Sequence, residues 1–223
     1  SVARKLAHEI KNPLTPIQLT IDRLKSKYSD MISNNEKEKF TENLMIIIKQ
    51  IKQIENLVNE FSDFARMPKP ILKNNNLVLI ITDNIKLLKE LDKNIEINFN
   101  SIEEKIIFNS DNEQLNRVFF NLIKNSIESI QEKHLKNPNF KREINIEIIN
   151  NDDYIEFIII DSGKGFADLD GNIKDILNPY FTTKKKGTGL GLAIVNKTIN
   201  DHNGKINFIP IDDGAKIQVI FIR

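Results

Sequence analysis

His8 is followed at once by Glu9 and, one helical turn on, by Asn12. An imidazole with a carboxylate beside it can be oriented or deprotonated to act as a nucleophile, and an amide at i+4 lies over the same helix face to position a water or a phosphoryl group. The plainer alternative is a surface histidine beside a surface glutamate. Asn121 and Asn125 repeat the i, i+4 relation within Asn121-Leu122-Ile123-Lys124-Asn125. Side-chain carbonyls so spaced can hold a hydrated Mg²⁺ against nucleotide phosphates, since that ion takes oxygen ligands and keeps several waters. Otherwise they are polar positions on a half-buried helix.

Asp161-Ser162-Gly163-Lys164-Gly165 follows an apolar run, which puts a carboxylate at a strand end and two glycines in the next turn. A buried carboxylate there can accept a hydrogen bond from an exocyclic amine such as adenine's, while glycine lets the backbone approach the ring. An ordinary Asp-Gly turn has the same spelling. Lys184-Lys185-Lys186-Gly187-Thr188-Gly189-Leu190-Gly191-Leu192 joins a basic run to three alternating glycines that open a helix. Backbone N–H groups at a helix start make an anion site for phosphates, and lysines add charge. The run lacks the Gly-Lys-Ser/Thr ending of a P-loop and the glycine spacing of a dinucleotide fingerprint. Pro179-Tyr180-Phe181-Thr182-Thr183 before it fits a mobile lid, or the whole is a flexible surface loop.

Two kinds of scaffold carry these residues. Leu6, Ile10, Leu14, Ile17, Ile21, Leu24 and Tyr28 step by three or four residues and predict a helix from about Val2 to Tyr28, interrupted and kinked by Pro13 and Pro16. After a break at Ser33-Asn34-Asn35, Phe40, Leu44, Ile47, Ile51, Ile54, Val58 and Phe61 form a heptad seam. Such a helical hairpin has two apolar stripes and little to bury them against, so the economical partner is a second copy, giving a homodimeric four-helix bundle, the plainer alternative being a hairpin docked on the rest of its own chain. Met67-Pro68-Lys69-Pro70 and Lys73-Asn74-Asn75-Asn76 read as a polar, helix-breaking linker. Beyond it, helices are expected at Leu77 to Leu91, Glu113 to Gln131 and Leu190 to His202. Strands are expected at Ile95 to Phe99, Ile106 to Phe108, Glu143 to Ile149, Tyr154 to Asp161, Lys205 to Ile209 and Lys216 to Ile222. The class is α+β in two domains, the second an α/β sandwich with its sheet covered on one face.

Composition narrows the rest. The 223 residues, 40% hydrophobic and 28% charged, suit a globular chain, and 32 basic against 31 acidic residues leave +1, with no long-range pull on nucleic acid or an anionic membrane. Without Cys there is no thiolate metal site, and three scattered His cannot build a zinc centre. The longest apolar runs, such as Phe157-Ile158-Ile159-Ile160, fall far short of the roughly 20 residues of a membrane helix, so no membrane contact is expected of this chain. Opening on Ser1 in helical sequence, it reads as a piece of something longer.

Taken in order, the motifs resemble those of sensor histidine kinase transmitters. His8 to Leu14 is similar to the family's H box, Asn121 to Asn125 to its N box, Asp161 to Gly165 to its first glycine box, Pro179 to Thr183 to its F box and Gly187 to Leu192 to its second glycine box. Ala3 to Leu19 and Phe61 to Pro70 are further similar to NtrY-type nitrogen-regulation sensors. The resemblance implies a dimerisation and histidine-phosphotransfer domain at 1–67 and a Bergerat-type ATP-binding domain, like those of gyrases and chaperones, at 71–223. It implies that His8 takes the γ-phosphoryl group of ATP, with Glu9 as base or orienting carboxylate, and that Asn12 aligns water when the partner regulator is dephosphorylated. Asn125 is then the principal Mg²⁺ ligand, supported by Asn121. Asp161 reads the adenine amine, and Gly163 and Gly165 admit the base. Gly187, Thr188, Gly189 and Gly191 cover the phosphates, Phe181 reports lid closure, and Lys124, Thr182, Thr183, Lys184, Lys186 and Leu190 complete the ATP-binding set. The implied partners are a second copy and an NtrX-like response regulator receiver. The implied setting is cytoplasmic, on a parent held in the bacterial inner membrane.

Two rivals remain in view. Hydrolytic ATPases of the same superfamily carry a glutamate base at the position of Asn121, which cannot take a proton, and a degenerate adaptor would bind nucleotide without transferring phosphate. Glu128 departs from the pattern, standing where many family members place a basic residue. Arg117, Lys124 or the lysines at 184–186 are the candidates to supply that charge.

Overall fold

The computed structural model describes residues 2–166, 172–184 and 187–223, with the side chains of 2–6, 34, 35 and 66 set aside. Lys185, Lys186 and the side chain of Leu6, all named above, therefore lie outside the described residues. Contacts divide the chain into two compact units, Ser1–Pro68 and Lys69–Arg223. Among the described residues no helix is long and apolar enough to cross a membrane.

The first unit is a hairpin of α1 (Val2–Tyr28) and α2 (Asn34–Arg66). Pro13 and Pro16 lie inside α1 and, contrary to expectation, do not interrupt it. They do remove two donors, so the carbonyls of Glu9 and Asn12 have no i+4 N–H to receive. The reverse turn is closed by Met31 N–H donating to the Tyr28 carbonyl at 3.0 Å, and Ser33 accepts from the Lys37 N–H at 3.0 Å as α2 begins. The apolar residues fall into two heptad rows. Ala7, Leu14 and Ile21 of α1 and Leu44, Ile51 and Val58 of α2 are buried. Ile10, Ile17 and Leu24, with Ile47 and Ile54, remain 36–45% exposed. Two helices alone can cover one side of each other, so the second row has no cover within the hairpin.

The second unit carries a two-stranded ladder and a five-stranded sheet of order β2-β4-β5-β7-β6. These are β2 (Glu96–Ser101), β4 (Glu143–Asn150), β5 (Tyr154–Asp161), β6 (Gly204–Pro210) and β7 (Ala215–Ile222). β2 runs parallel to β4, and the remaining neighbours are antiparallel. Alternation decides which face is buried: Ile146 pairs with Ile159 and Ile159 with Ile217, and Ile148 pairs with Phe157 and Phe157 with Val219, all inward. Helices α3 (Leu77–Lys89), α4 (Asn112–Lys136) and α5 (Gly191–Asp201) cover that face, with Phe119 of α4 against Phe157 at 4.9 Å between ring centres. A short 3-10 turn spans Ile173–Leu177.

The Lys-Asn-Asn-Asn run corrects the linker reading. It forms β1 (Lys73–Asn76), antiparallel to β3 (Ile107–Ser110). Asn76 then caps α3, its Oδ1 accepting from the N–H groups of Val78 at 3.2 Å and Ile106 at 3.1 Å. The helix that bears the site residues is fixed at its start. Asp111 caps α4 by accepting from the Gln114 N–H at 3.1 Å, and its other carboxylate oxygen accepts from the Ile71 N–H at 2.8 Å. Buried His202, at the end of α5, accepts the Asp111 N–H at Nε2 (2.9 Å), which leaves Nδ1 to donate to the Thr198 carbonyl at 2.8 Å.

Candidate active site

One face of α4 is fastened to the turn after β5 by three side chains at i, i+3 and i+7. The Ser126 hydroxyl donates to Asp161 Oδ2 at 2.8 Å, Ser129 Oγ accepts from the Lys164 N–H at 3.1 Å, and Lys133 Nζ donates to the Ser162 carbonyl at 2.9 Å. Asp161 ends the inward row of β5 and is almost wholly buried. Its Oδ1 accepts from the Gly163 N–H at 2.9 Å. Burial pushes this carboxyl above its ordinary value, against the opposing pull of the Ser126 and Gly163 hydrogen bonds, the Lys133 charge and the Ala215 N–H. Glycine is required at two places around it. A Cβ at Gly163 would stand 2.2 Å from Ser129 Oγ, and one at Gly214, with φ +107°, would stand 1.8 Å from the Asp161 carbonyl oxygen. A cleft of about 530 Å³ opens beside the turn, lined among others by Lys133, Gly163, Gly165, Phe166 and Gly214.

Further toward the start of α4 the face changes chemistry. Asn121 Nδ2 donates to the Arg117 carbonyl at 2.8 Å, which leaves its oxygen pointing away from the helix axis, 3.6 Å from where a Cβ of Gly191 would stand. The N-terminus of α5 therefore faces Asn121. Asn125 Oδ1 accepts from Lys184 Nζ at 3.1 Å, and the same ammonium pairs with the Glu128 carboxylate. Lys124 Nζ lies 3.7 Å from Glu128 on its other side. Glu128 thus gathers two lysines onto the face where a basic residue was expected. No cluster of three His, Cys, Asp or Glu that could hold a metal exists among the described residues. A cation here can draw on amide oxygens, the Glu128 carboxylate, water and a bound anion, and the oxygens of Asn125 and Glu128 hold a lysine cation.

The segment before α5 is shaped by close backbone contact. Tyr180 takes φ 70° and its N–H donates to the Gly189 carbonyl at 3.0 Å. Gly189, at φ +69°, sits where a Cβ would be 2.4 Å from the Tyr180 carbonyl carbon. Phe181 is half-buried, and Thr182 Oγ1 accepts from the Lys184 N–H at 3.1 Å. Thr183 and Gly187 are exposed, and Thr188 Oγ1 accepts from the Leu190 N–H at 3.3 Å. Leu190 is fully buried, so what it can offer a ligand is its backbone. In the first unit, His8, Glu9 and Asn12 are all exposed on α1, next to buried Ala7.

The structure thus joins Asn121, Asn125, Asp161, Gly163, Lys184 and Gly191 around α4. It adds Ser126, Ser129, Lys133 and Gly214, which the sequence reading did not single out. Residues 110–222 match the histidine kinase-, DNA gyrase B- and HSP90-like ATPase family, and residues 1–70 match the His Kinase A phospho-acceptor domain. This chain belongs to the sensor histidine kinases. It is 40% identical over 222 residues to an NtrY-like sensor histidine kinase of Rickettsia felis, covering 99% of this chain and 35% of that one. It is 36% identical over 223 residues to the nitrogen regulation protein NtrY of Azorhizobium caulinodans, covering 98% and 28%. The chain therefore spans about a third of the length of these kinases. Histidine kinase ThkA, solved in complex with the response regulator TrrA, shares the fold at a TM-score of 0.67 and 24% identity, covering 99% of this chain and 60% of that one.

Proposed function

We propose that the chain is the ATP-dependent phosphotransfer part of an NtrY-type sensor: it phosphorylates itself on His8 and passes the group to an aspartate of an NtrX-like response regulator. The observation that carries this is α4. One face of the helix offers amide oxygens at Asn121 and Asn125 for the phosphate end of a nucleotide, and Ser126, the next residue, holds the Asp161 carboxylate for the base end.

In the transfer, an imidazole nitrogen of His8 bonds to the γ-phosphorus as the bond from that phosphorus to the β,γ-bridging oxygen breaks and ADP leaves. Glu9 orients the ring and takes its proton. Asn125, with Asn121, would hold Mg²⁺, a reading supported by the cation that Asn125 and Glu128 already accept. The ion supplies charge neutralisation on the phosphates. Lys184 and Lys124, gathered by Glu128, bring positive charge to the same face. The donors freed at the start of α5 by Gly187 to Gly191 cover the phosphates, with Thr182, Thr183 and, outside the described residues, Lys186 completing the lid.

The active form is a homodimer, supported by the row of Ile10, Ile17, Leu24, Ile47 and Ile54 left uncovered in the hairpin. Pairing two such rows makes the four-helix bundle. Asn12, exposed one turn from His8, serves a regulator phosphatase activity of the same bundle. The parent protein is placed in the bacterial inner membrane with this part in the cytoplasm, by analogy with NtrY-type sensors. The test is transfer: the chain labelled from γ-labelled ATP is mixed with an NtrX-type receiver domain. Label leaving the chain and arriving on the receiver aspartate is expected, and ATP hydrolysis with no label ever held by the chain contradicts the reading.

A further inference from the structure

Ser126 is 2% exposed and sits in the middle of α4. A buried helical serine commonly returns its hydroxyl proton to the carbonyl one turn back. Here the hydroxyl points across to Asp161 Oδ2 at 2.8 Å, from the residue next to Asn125. The second carboxylate oxygen is engaged by the Gly163 N–H at 2.9 Å, and the Ala215 N–H of β7 adds a smaller electrostatic pull. Among the described residues Lys133 is the charged side chain that faces it, and its ammonium is already shared between the Ser162 carbonyl and Asp213. Each carboxylate oxygen thus accepts one hydrogen bond from the protein and keeps a lone pair for a ligand.

We propose that Ser126 is a positioning residue for base selection, holding Asp161 as an acceptor-only carboxylate so that the site takes a purine with a 6-amino group and turns away one with a 6-oxo group. The proposal rests on the reading that Asp161 receives the base amine. An ionised carboxylate can only accept, and it suits the N–H of a 6-amino group while opposing the lone pairs of a 6-oxo oxygen. A protonated carboxyl carries a donor of its own and loses that distinction. Burial drives Asp161 toward the protonated form, and the Ser126 hydroxyl is the foremost of the groups that oppose it.

The test uses the full chain with Mg²⁺ and a fluorescent ATP analogue displaced by ATP or by GTP, across a range of pH, for the native protein, Ser126→Ala and Asp161→Asn. Losing a hydrogen bond to a charged group, Ser126→Ala should bind ATP about tenfold more weakly while its GTP affinity holds, so the preference narrows by about the same factor. Its ATP binding should also fail at a higher pH than in the native chain as the solution is acidified. An unchanged ATP-to-GTP ratio and pH profile, or an equal loss for both nucleotides, overturns the role of Ser126. The underlying reading fails separately: a native chain with no preference for ATP, or an Asp161→Asn chain that keeps the native preference, removes Asp161 from base recognition whatever Ser126 does.

Discussion

Lys184 places its ammonium 3.1 Å from the side-chain oxygen of Asn125 and pairs at the same time with Glu128. A lysine from the segment before α5 thereby occupies the position proposed above for a metal and phosphates. In the function proposed above, Mg²⁺ and ATP would displace that ammonium from Asn125 toward the phosphate oxygens.

The consequence is an order of effects on affinity. Replacing Lys184, Lys185 and Lys186 together by Ala removes charge-assisted contacts and should weaken ATP binding by about ten- to a hundredfold. Arg117→Ala should cost less. Displacement of a fluorescent nucleotide measures both, and the reverse order would shift the phosphate contact to Arg117.

Asp161 links recognition to stability. Its folded value lies above the ordinary 3.8 because burial outweighs its hydrogen bonds, so the folded chain binds this proton more tightly than the unfolded one. The stabilisation from that proton is fully present below the unfolded value and is lost as pH rises through the folded one. Asp161→Asn removes the titration. The melting temperature of the variant relative to the native chain should therefore be most favourable near neutrality and should decline as pH falls through the window between the two values. A difference that stays constant with pH contradicts a folded value of Asp161 raised by burial.

The two heptad rows of the hairpin should separate by substitution. Ile17→Asp with Ile54→Asp, on the uncovered row, should halve the sedimenting mass at micromolar concentration and leave helix content intact. Leu44→Ala, on the covered row, should instead destabilise the hairpin by about 2–5 kcal/mol. A dimer that survives the first change would move the interface elsewhere.

How far these relationships were legible in the sequence depended on their range. Periodicity along α4 and alternation along β4, β5 and β7 placed Asn121, Asn125 and Asp161 on the correct faces, because each pattern is local and one face of each element is buried. The Lys73–Asn76 strand was hidden. Its residues are polar, and pairing with β3 and the double acceptance by Asn76 hold it extended, so no alternation marks it. The apolar stripe of α1 reads as one face, yet Leu14 and Ile21 are covered while Ile10 and Ile17 are not, a division that depends on where α2 lies. Ser126 and Lys184 find their partners 35 and 59 residues away. The stripe Ser126, Ser129, Lys133 at i, i+3, i+7 was a signal available in advance, but only contact with the turn after β5 gives it a meaning.

The most direct test of the whole account is incubation with γ-labelled ATP and Mg²⁺, comparing the native chain with His8→Gln and Asn125→Ala. Acid-labile, base-stable label is expected on the native chain and none on either variant, with His8→Gln still binding nucleotide. Label that persists on His8→Gln, or a native chain that binds ATP and never becomes labelled, would contradict it.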